Sequence, residues 1–182
     1  ENDLTASASD DDAYAEVDGN VVSGTYNELD ADASGEDSEA YVASNEIEGS
    51  ENDLTADASD EGAFAEVDTN YVSGTYNELD ADASAEDSEA YVNSNEVEGS
   101  ENDLFAEASD EGAVAEVDGN IVSGTYNELD ADASGVDSEA YVTSNEIEGS
   151  ENDLTATASD ERAYAEVDTN YVSGTYNELD AD

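Results

Sequence analysis

The stretch SGTYNELDADAS, residues 23–34, occurs unchanged in two later parts of the chain and is begun once more at its end. Within it, Glu28, Asp30 and Asp32 alternate with Leu29 and two alanines. A period of two places the acidic residues on one face of a β-strand and the apolar residues on the other. A helix would spread the same apolar residues around its axis. The stretch therefore predicts a half-buried strand in every copy.

The chain is a tandem repeat. Its aligned copies are residues 1–50, 51–100, 101–150 and 151–182. Each 50-residue copy divides into two related 25-residue units with the pattern N-[DE]-L-x-A-x-A-S, a polar corner, and A-x-V-x-x-N-x-[VI]-x-G-[ST]. Acidic composition alone favours disorder, but a disordered tail has no need to keep this register. We expect one continuous array that is a piece of a longer one, because the sequence opens and closes inside a repeat.

A 25-residue unit with two strands and two corners predicts one coil of a parallel β-solenoid. The fold class is then all-β, with about seven coils that each contact only their neighbours. A one-residue phase shift between Val42 and Asn45 predicts a bulge or bend. Gly24 and Gly49 each precede an asparagine by three residues, which predicts a tight turn with positive φ.

The segment NEIEGSENDLTA, residues 45–56, resembles the strand–turn–strand unit of curlin repeats, the building block of secreted bacterial amyloid-like fibres. The resemblance implies that Gly49 lies in a hairpin turn. It also implies that Asn45 and Asn52 belong to ladders of stacked amides. At the level of function, it implies an extracellular fibre that assembles from copies of itself.

Charge composition excludes several classes of protein. The 182 residues include 53 acidic side chains and one basic residue, Arg162, which gives a net charge of −52. Nucleic acid is excluded as a partner because phosphates need Lys and Arg. Membrane insertion is not expected, since no apolar run approaches the ~20 residues that span a bilayer. Without His, Cys or Lys, most nucleophiles and general bases are missing, so we expect no enzyme.

The doubling of the 25-residue unit predicts a charge checkerboard. Identical coils would place identical charges about 4.8 Å apart, at about 0.8 kcal/mol for each exposed pair in water. Positions 25 apart instead alternate, as in Glu16, Tyr41 and Glu66, or Thr5 and Asp30. Gene duplication with no electrostatic purpose is the alternative explanation.

Two sets of acidic residues do not follow the checkerboard, and they are the predicted cation sites. The first set occupies one position in every unit: Asp3, Glu28, Asp53, Glu78, Asp103, Glu128 and Asp153. The second set lies in the polar corners: Asp10, Asp37, Asp60, Asp87, Asp110, Asp137 and Asp160. Ca²⁺ takes six to eight oxygen ligands. One interpretation of these residues is therefore that they bind Ca²⁺ or other cations, shared between coils. A solvated acidic face in molar salt, as in halophilic proteins, is the other.

The outward tyrosines Tyr41, Tyr91, Tyr141, Tyr71 and Tyr171 also have two interpretations. Exposed aromatic ladders mediate contacts between filaments or with sugars. Aromatic residues also simply pack along a strand surface, which is the interpretation we favour.

These patterns predict a structural protein of an acidic extracellular fibre or cell-surface filament. Its carboxylate faces would be screened by cations, and its partners would be further copies of itself, joined head to tail or side by side. The alternative is a cation-loaded adhesin stalk, or a mineral- or ice-binding solenoid. Ice binding would need regular threonine ladders, and Thr5 and Thr55 are separated by Asp30.

Overall fold

The computed structural model describes residues 2–182, which form β-strands and corners with no helix. Accordingly, this part of the chain has no helix with the length and apolarity to cross a membrane. The strands alternate between a long and a short type along the sequence.

The long strands are β1 Asn2–Ser9, β3 Val21–Ser34, β5 Glu46–Ser59, β7 Tyr71–Ser84, β9 Glu96–Ser109, β11 Ile121–Ser134, β13 Glu146–Ser159 and β15 Tyr171–Ala181. The short strands are β2 Tyr14–Asp18, β4 Glu39–Ala43, β6 Phe64–Asp68, β8 Glu89–Asn93, β10 Val114–Asp118, β12 Glu139–Thr143 and β14 Tyr164–Asp168.

The strands form two parallel sheets, one from the long strands and one from the short strands, each in sequence order along the axis. Paired strand residues lie 25 positions apart, as in Asn27 with Asn52 and Leu29 with Leu54. The structure is thus the predicted parallel β-solenoid of about seven 25-residue coils. We use "column" for the residues that this register stacks along the axis.

The core lies between the two sheets and contains the predicted alternating residues. Leu29, Ala31 and Ala33 on β3 are fully buried, as are Val42 on β4 and Ile47 on β5. The same columns stay buried through the middle coils. Small residues make this core thin, so hydrogen bonds along the axis carry more of the stability than in a bulky core.

Two ladders of buried asparagines run through the core. Asn45 Nδ2 donates to Asn70 Oδ1 at 3.0 Å, and Asn52 Nδ2 donates to Asn77 Oδ1 at 2.8 Å. Each bond links one coil to the next and recurs along both columns. Amide ladders of this kind satisfy buried polar groups that would otherwise cost free energy. The placement of Asn45 and Asn52 in ladders is confirmed.

The predicted bend between Val42 and Asn45 is also confirmed. Strand β4 ends at Ala43, and Ser44 has a φ of 56°, in the left-handed region. The bend returns Asn45 to the inside of the coil, where it is buried.

The turn predicted at Gly49 is wrong. Strand β5 continues through Gly49 without a hairpin, and the left-handed residue is Glu51, with a φ of 58°. The chain bends at Glu51, where the inward residues change from the parity of Ile47 to that of Asn52. Glycine is needed at position 49 for a different reason. A Cβ there would lie 1.8 Å from the carbonyl oxygen of Gly24, so only glycine permits the close approach of successive coils.

Candidate functional site

The residues of the first predicted cation set form one continuous column, which we call the first acidic column. The sheet register stacks Asp3 on Glu28, Glu28 on Asp53, and so on along β1 to β15. Neighbouring carboxylates are therefore one strand spacing apart, about 4.8 Å at the backbone. Stacked like charges at this distance repel each other, and a bound or diffuse cation relieves that repulsion.

The corner aspartates lie between the long and short strands and fall into two separate columns. Asp10, Asp60, Asp110 and Asp160 have φ between 88° and 143°, and Asp37, Asp87 and Asp137 have φ between 57° and 64°. Aspartate tolerates the left-handed region better than most residues. A backbone requirement therefore explains why Asp37, Asp87 and Asp137 lie where they do. Asp137 also accepts an ion pair from Arg162 at 2.6 Å, with both side chains well exposed.

No group of three or more acidic side chains in residues 2–182 converges in a way that could hold a metal ion. The first acidic column is linear, and the corner aspartates lie at a different corner of the coil. This arrangement differs from a single Ca²⁺ site, which gathers six to eight oxygens around one point. The carboxylates are instead distributed along the axis.

The sequence interpretation missed a second acidic column. The register of the long strands stacks Asp32, Asp57, Asp82, Glu107 and Asp132 on successive coils. These residues share the outer face of the long sheet with the first acidic column. The checkerboard therefore holds for the columns of Glu16 and Thr5 but fails for this one. An alignment of the 25-residue units that compared their acidic positions would have revealed this second column.

Between the two acidic columns, aspartates alternate with neutral residues, and these aspartates are partly buried. Burial, followed by the charges of Asp82 and Glu78, raises the pKa of Asp80 to about 7. Burial and neighbouring acids raise the pKa of Asp130 to about 6. The Oδ1 atoms of Asp80 and Asp130 are buried without a hydrogen-bond partner. Ionising these groups is therefore costly in the folded chain.

The outer face of the short sheet carries aromatic rings in a zigzag between coils. Ring centroids of Tyr14 and Tyr41 are 5.3 Å apart, those of Tyr41 and Phe64 are 5.5 Å apart, and those of Phe64 and Tyr91 are 5.3 Å apart. The Tyr91 hydroxyl donates to Glu89 at 3.0 Å, and burial and then Glu89 raise the pKa of Tyr91. These tyrosines pack along the strand surface, and tilted ring contacts with interplanar angles of 33° to 37° stabilise successive coils.

A groove follows the corner at which the long strands bend. Its larger section has a volume of about 800 Å³, and a smaller section of about 280 Å³ continues it along the axis. Asparagines of the ladder that contains Asn27 and Asn52 line it, and the first acidic column forms one wall. The opposite rim consists of Tyr26, Glu51, Tyr76, Glu101 and Tyr126 in the larger section, and Tyr126, Glu151 and Tyr176 in the smaller section.

The rim residues are held in an unusual backbone conformation. Tyr76 has a φ of 59° and Glu101 a φ of 60°, and the same left-handed value recurs in each coil. The charge of Glu101, and then its hydrogen bond with the phenol, raise the pKa of Tyr76. The rim thus places phenols and carboxylates alternately beside a continuous wall of acids.

The chain matches no protein-family model, no curated protein and no solved structure. Its fold therefore rests on the register and burial described above, and its function on the chemistry of these surfaces.

Proposed function

We propose that the chain is a structural protein, the acidic shaft of an extracellular fibre or cell-surface filament. The supporting observation is the backbone pairing, which keeps one register through every coil from β1 to β15. Hydrogen bonds parallel to the axis make such an array stiff along its length. Assembly with further copies, head to tail or side by side, would extend the shaft.

The carboxylate columns have a second role in this function, which is to keep the shafts dispersed in water. A surface with a net charge of −52 and one basic residue repels like surfaces and keeps neighbouring shafts apart. Water and cations, Ca²⁺ among them, would gather at the acidic columns and screen this repulsion. No catalytic activity is proposed.

Negative-stain electron microscopy over a range of protein concentrations and salt tests the fibre. We expect unbranched filaments whose length increases with concentration, and whose lateral spacing decreases as NaCl screens the carboxylates. Strictly monomeric particles at high concentration in both low and molar salt would reject the fibre.

A cation-loaded adhesin stalk or mineral-binding solenoid is the second candidate, and the unbroken first acidic column favours it. Adsorption to a calcium mineral would then fall in the variant E28Q/E78Q/E128Q and persist in E46Q/E96Q/E146Q, which removes three exposed glutamates from a different column. Equal adsorption of both variants would mean that the mineral responds only to the overall charge of the protein. Ice binding has no comparable support, because Thr5 and Thr55 both pair with Asp30 in the register.

A further inference from the structure

The groove is a long concave surface with an asparagine floor, and its tyrosine rim has no part in the shaft function. Tyr126 and Glu128 line both of its sections, so the two sections are continuous. It follows the first acidic column from Asp3 to Glu178, seven steps of 25 residues. At one strand spacing per step this is a length of about 34 Å. A groove of this shape fits a linear partner.

The residues of the rim are not the ones that its backbone conformation favours. The left-handed region suits Gly, Asn and Asp, and bulky side chains pay a steric cost there. The bend at Ser44 has glycine, serine or threonine at the equivalent positions, as in Gly19 and Thr69, and the polar corner has mostly aspartate or glycine, as in Gly62. The rim instead carries only tyrosine or glutamate in the described coils. Large side chains that are kept at a left-handed position in every coil are typical of a surface that has a function.

The rim tyrosines do not serve the core. Tyr26, Tyr76 and Tyr126 are each more than half exposed, and none of them belongs to the aromatic zigzag of the short sheet. Their phenol rings line the groove at every second coil. Exposed aromatic rings at regular intervals provide apolar contact area at low conformational entropy.

The charges of the groove define the chemistry of its partner. One wall carries a carboxylate in each coil, and the rim adds Glu51, Glu101 and Glu151 at every second coil. The only basic residue of the chain, Arg162, pairs with Asp137 at another corner. Distributed carboxylates beside aromatic rings suit ammonium groups on long aliphatic stems, which bind by charge, by stem contact and by cation–π attraction.

We propose that this groove binds an extended, lysine-rich polypeptide segment. The lysine ammonium groups contact the first acidic column and the rim glutamates, and the aliphatic stems lie against Tyr26, Tyr76 and Tyr126. A polypeptide fits better than a small polyamine, because the acidic wall continues through seven steps and only a polymer matches that many charges. Binding needs the folded array but not fibre assembly, so it is tested separately from the shaft function.

An oligolysine of about ten residues is the probe, since an extended chain covers about 3.4 Å per residue and so matches the groove. Four of the 11 tyrosines lie on the rim and the chain has no tryptophan, so the part of a tyrosine fluorescence change that the rim variants abolish reports contact with the rim. Affinity is measured at about 0.15 M NaCl, where charges beyond a Debye length of ~8 Å are screened. Circular dichroism of each variant establishes that the strands are intact.

The decisive comparison uses two variants with the same loss of charge. E28Q/E78Q/E128Q changes the groove wall, and E46Q/E96Q/E146Q changes equally exposed glutamates outside it. We expect the first variant to weaken oligolysine binding about tenfold and the second about twofold or less. Equal weakening would mean that the peptide responds only to net charge, and the proposal would be wrong.

A second pair of variants tests the aromatic rim without changing charge. Y76S/Y126S removes two rim phenols, and Y71S/Y171S removes two phenols outside the groove. We expect weaker binding and a smaller fluorescence change for the first pair only. Spermine is the third arm. If it binds as tightly per positive charge as oligolysine, and with the same dependence on the groove variants, the partner is a small polyamine and the polypeptide assignment fails.

Discussion

Asn70 Oδ1 accepts two hydrogen bonds from Asn45, one from its backbone N–H at 2.9 Å and one from its side-chain amide at 3.0 Å. The Asn45 amide also donates to the carbonyl of Val17 at 2.9 Å. One buried side chain thus bonds to the coils on both sides of it. Because the core is thin, these bonds are a principal source of cooperation between coils.

Replacing a central member of this ladder should destabilise the array strongly. Asn95 bonds to Asn120 through its backbone and its amide, to the Val67 carbonyl, and to Asn70 through its Oδ1. N95A leaves several buried partners unsatisfied, so we expect a loss of about 3–5 kcal/mol in the free energy of unfolding. Urea unfolding followed by circular dichroism measures the loss. N93A is the control, since Asn93 lies outside the ladder, its Oδ1 has no partner and its side chain bonds to Glu66; an equal effect would contradict the ladder's role.

The glycine column gives a second prediction. A Cβ at Gly99 would lie 1.8 Å from the Gly74 carbonyl oxygen, so G99A must force two coils apart. We expect a loss of about 3 kcal/mol or more, at the upper end of single-site effects. G119N is the control, because the nearest atoms to a Cβ there are 3.9 Å away and asparagine tolerates its φ of 66°. Similar thermal midpoints for the two variants would contradict the close approach.

The alternation of Glu28, Leu29 and Asp30 was enough to predict the strand and its buried face, and the 25-residue repeat predicted the parallel stacking. An alternation of apolar and acidic residues that recurs in register indicates a strand with one buried face. The first acidic column followed directly, because a fixed repeat length brings equivalent residues together in any solenoid. The amide ladders were predicted only through the resemblance to curlin repeats.

The bend and the groove could not be predicted in the same way. The turn was predicted at Gly49 because glycine is the usual residue for positive φ. In the structure the left-handed residue is Glu51, a type that local propensity disfavours there. The rim, and therefore the groove, depends on that displaced bend. The position of the bend is determined by the stacking of whole coils, which overrides the local preference.

Salt should stabilise the array steeply. The first acidic column places like charges one strand spacing apart, and molar NaCl shortens the Debye length to about 3 Å. We expect thermal midpoints to rise continuously between about 0.05 and 2 M NaCl. We also expect Ca²⁺, compared at equal ionic strength, to add little, since no three carboxylates converge in residues 2–182. Circular dichroism with EDTA and then with each salt checks this. Rescue of strand content by millimolar Ca²⁺ where molar NaCl fails would instead indicate specific sites.

Mild acid should stabilise this protein. Burial and acidic neighbours raise the pKa of Asp80 to about 7, and those of Asp82, Asp103 and Asp130 to about 6. Because these folded-state values lie above the unfolded value of 3.8, the folded chain binds more protons between them. The stabilisation is complete below the unfolded pKa and is lost as the pH rises through about 6 to 7. Urea midpoints should therefore be higher at pH 5 than at pH 8.

The variant D80N assigns part of this effect to one residue. An amide at position 80 carries no charge at pH 8, so the repulsion from Asp82, Glu78, Asp53 and Glu107 disappears. We expect D80N to be more stable than the parent by about 1–3 kcal/mol at pH 8 and to differ little from it at pH 4. E46Q removes one exposed charge outside this cluster and should change stability by less than about 0.5 kcal/mol at both pH values. A D80N variant that is no more stable than the parent at pH 8 would show that Asp80 is ionised there at little cost.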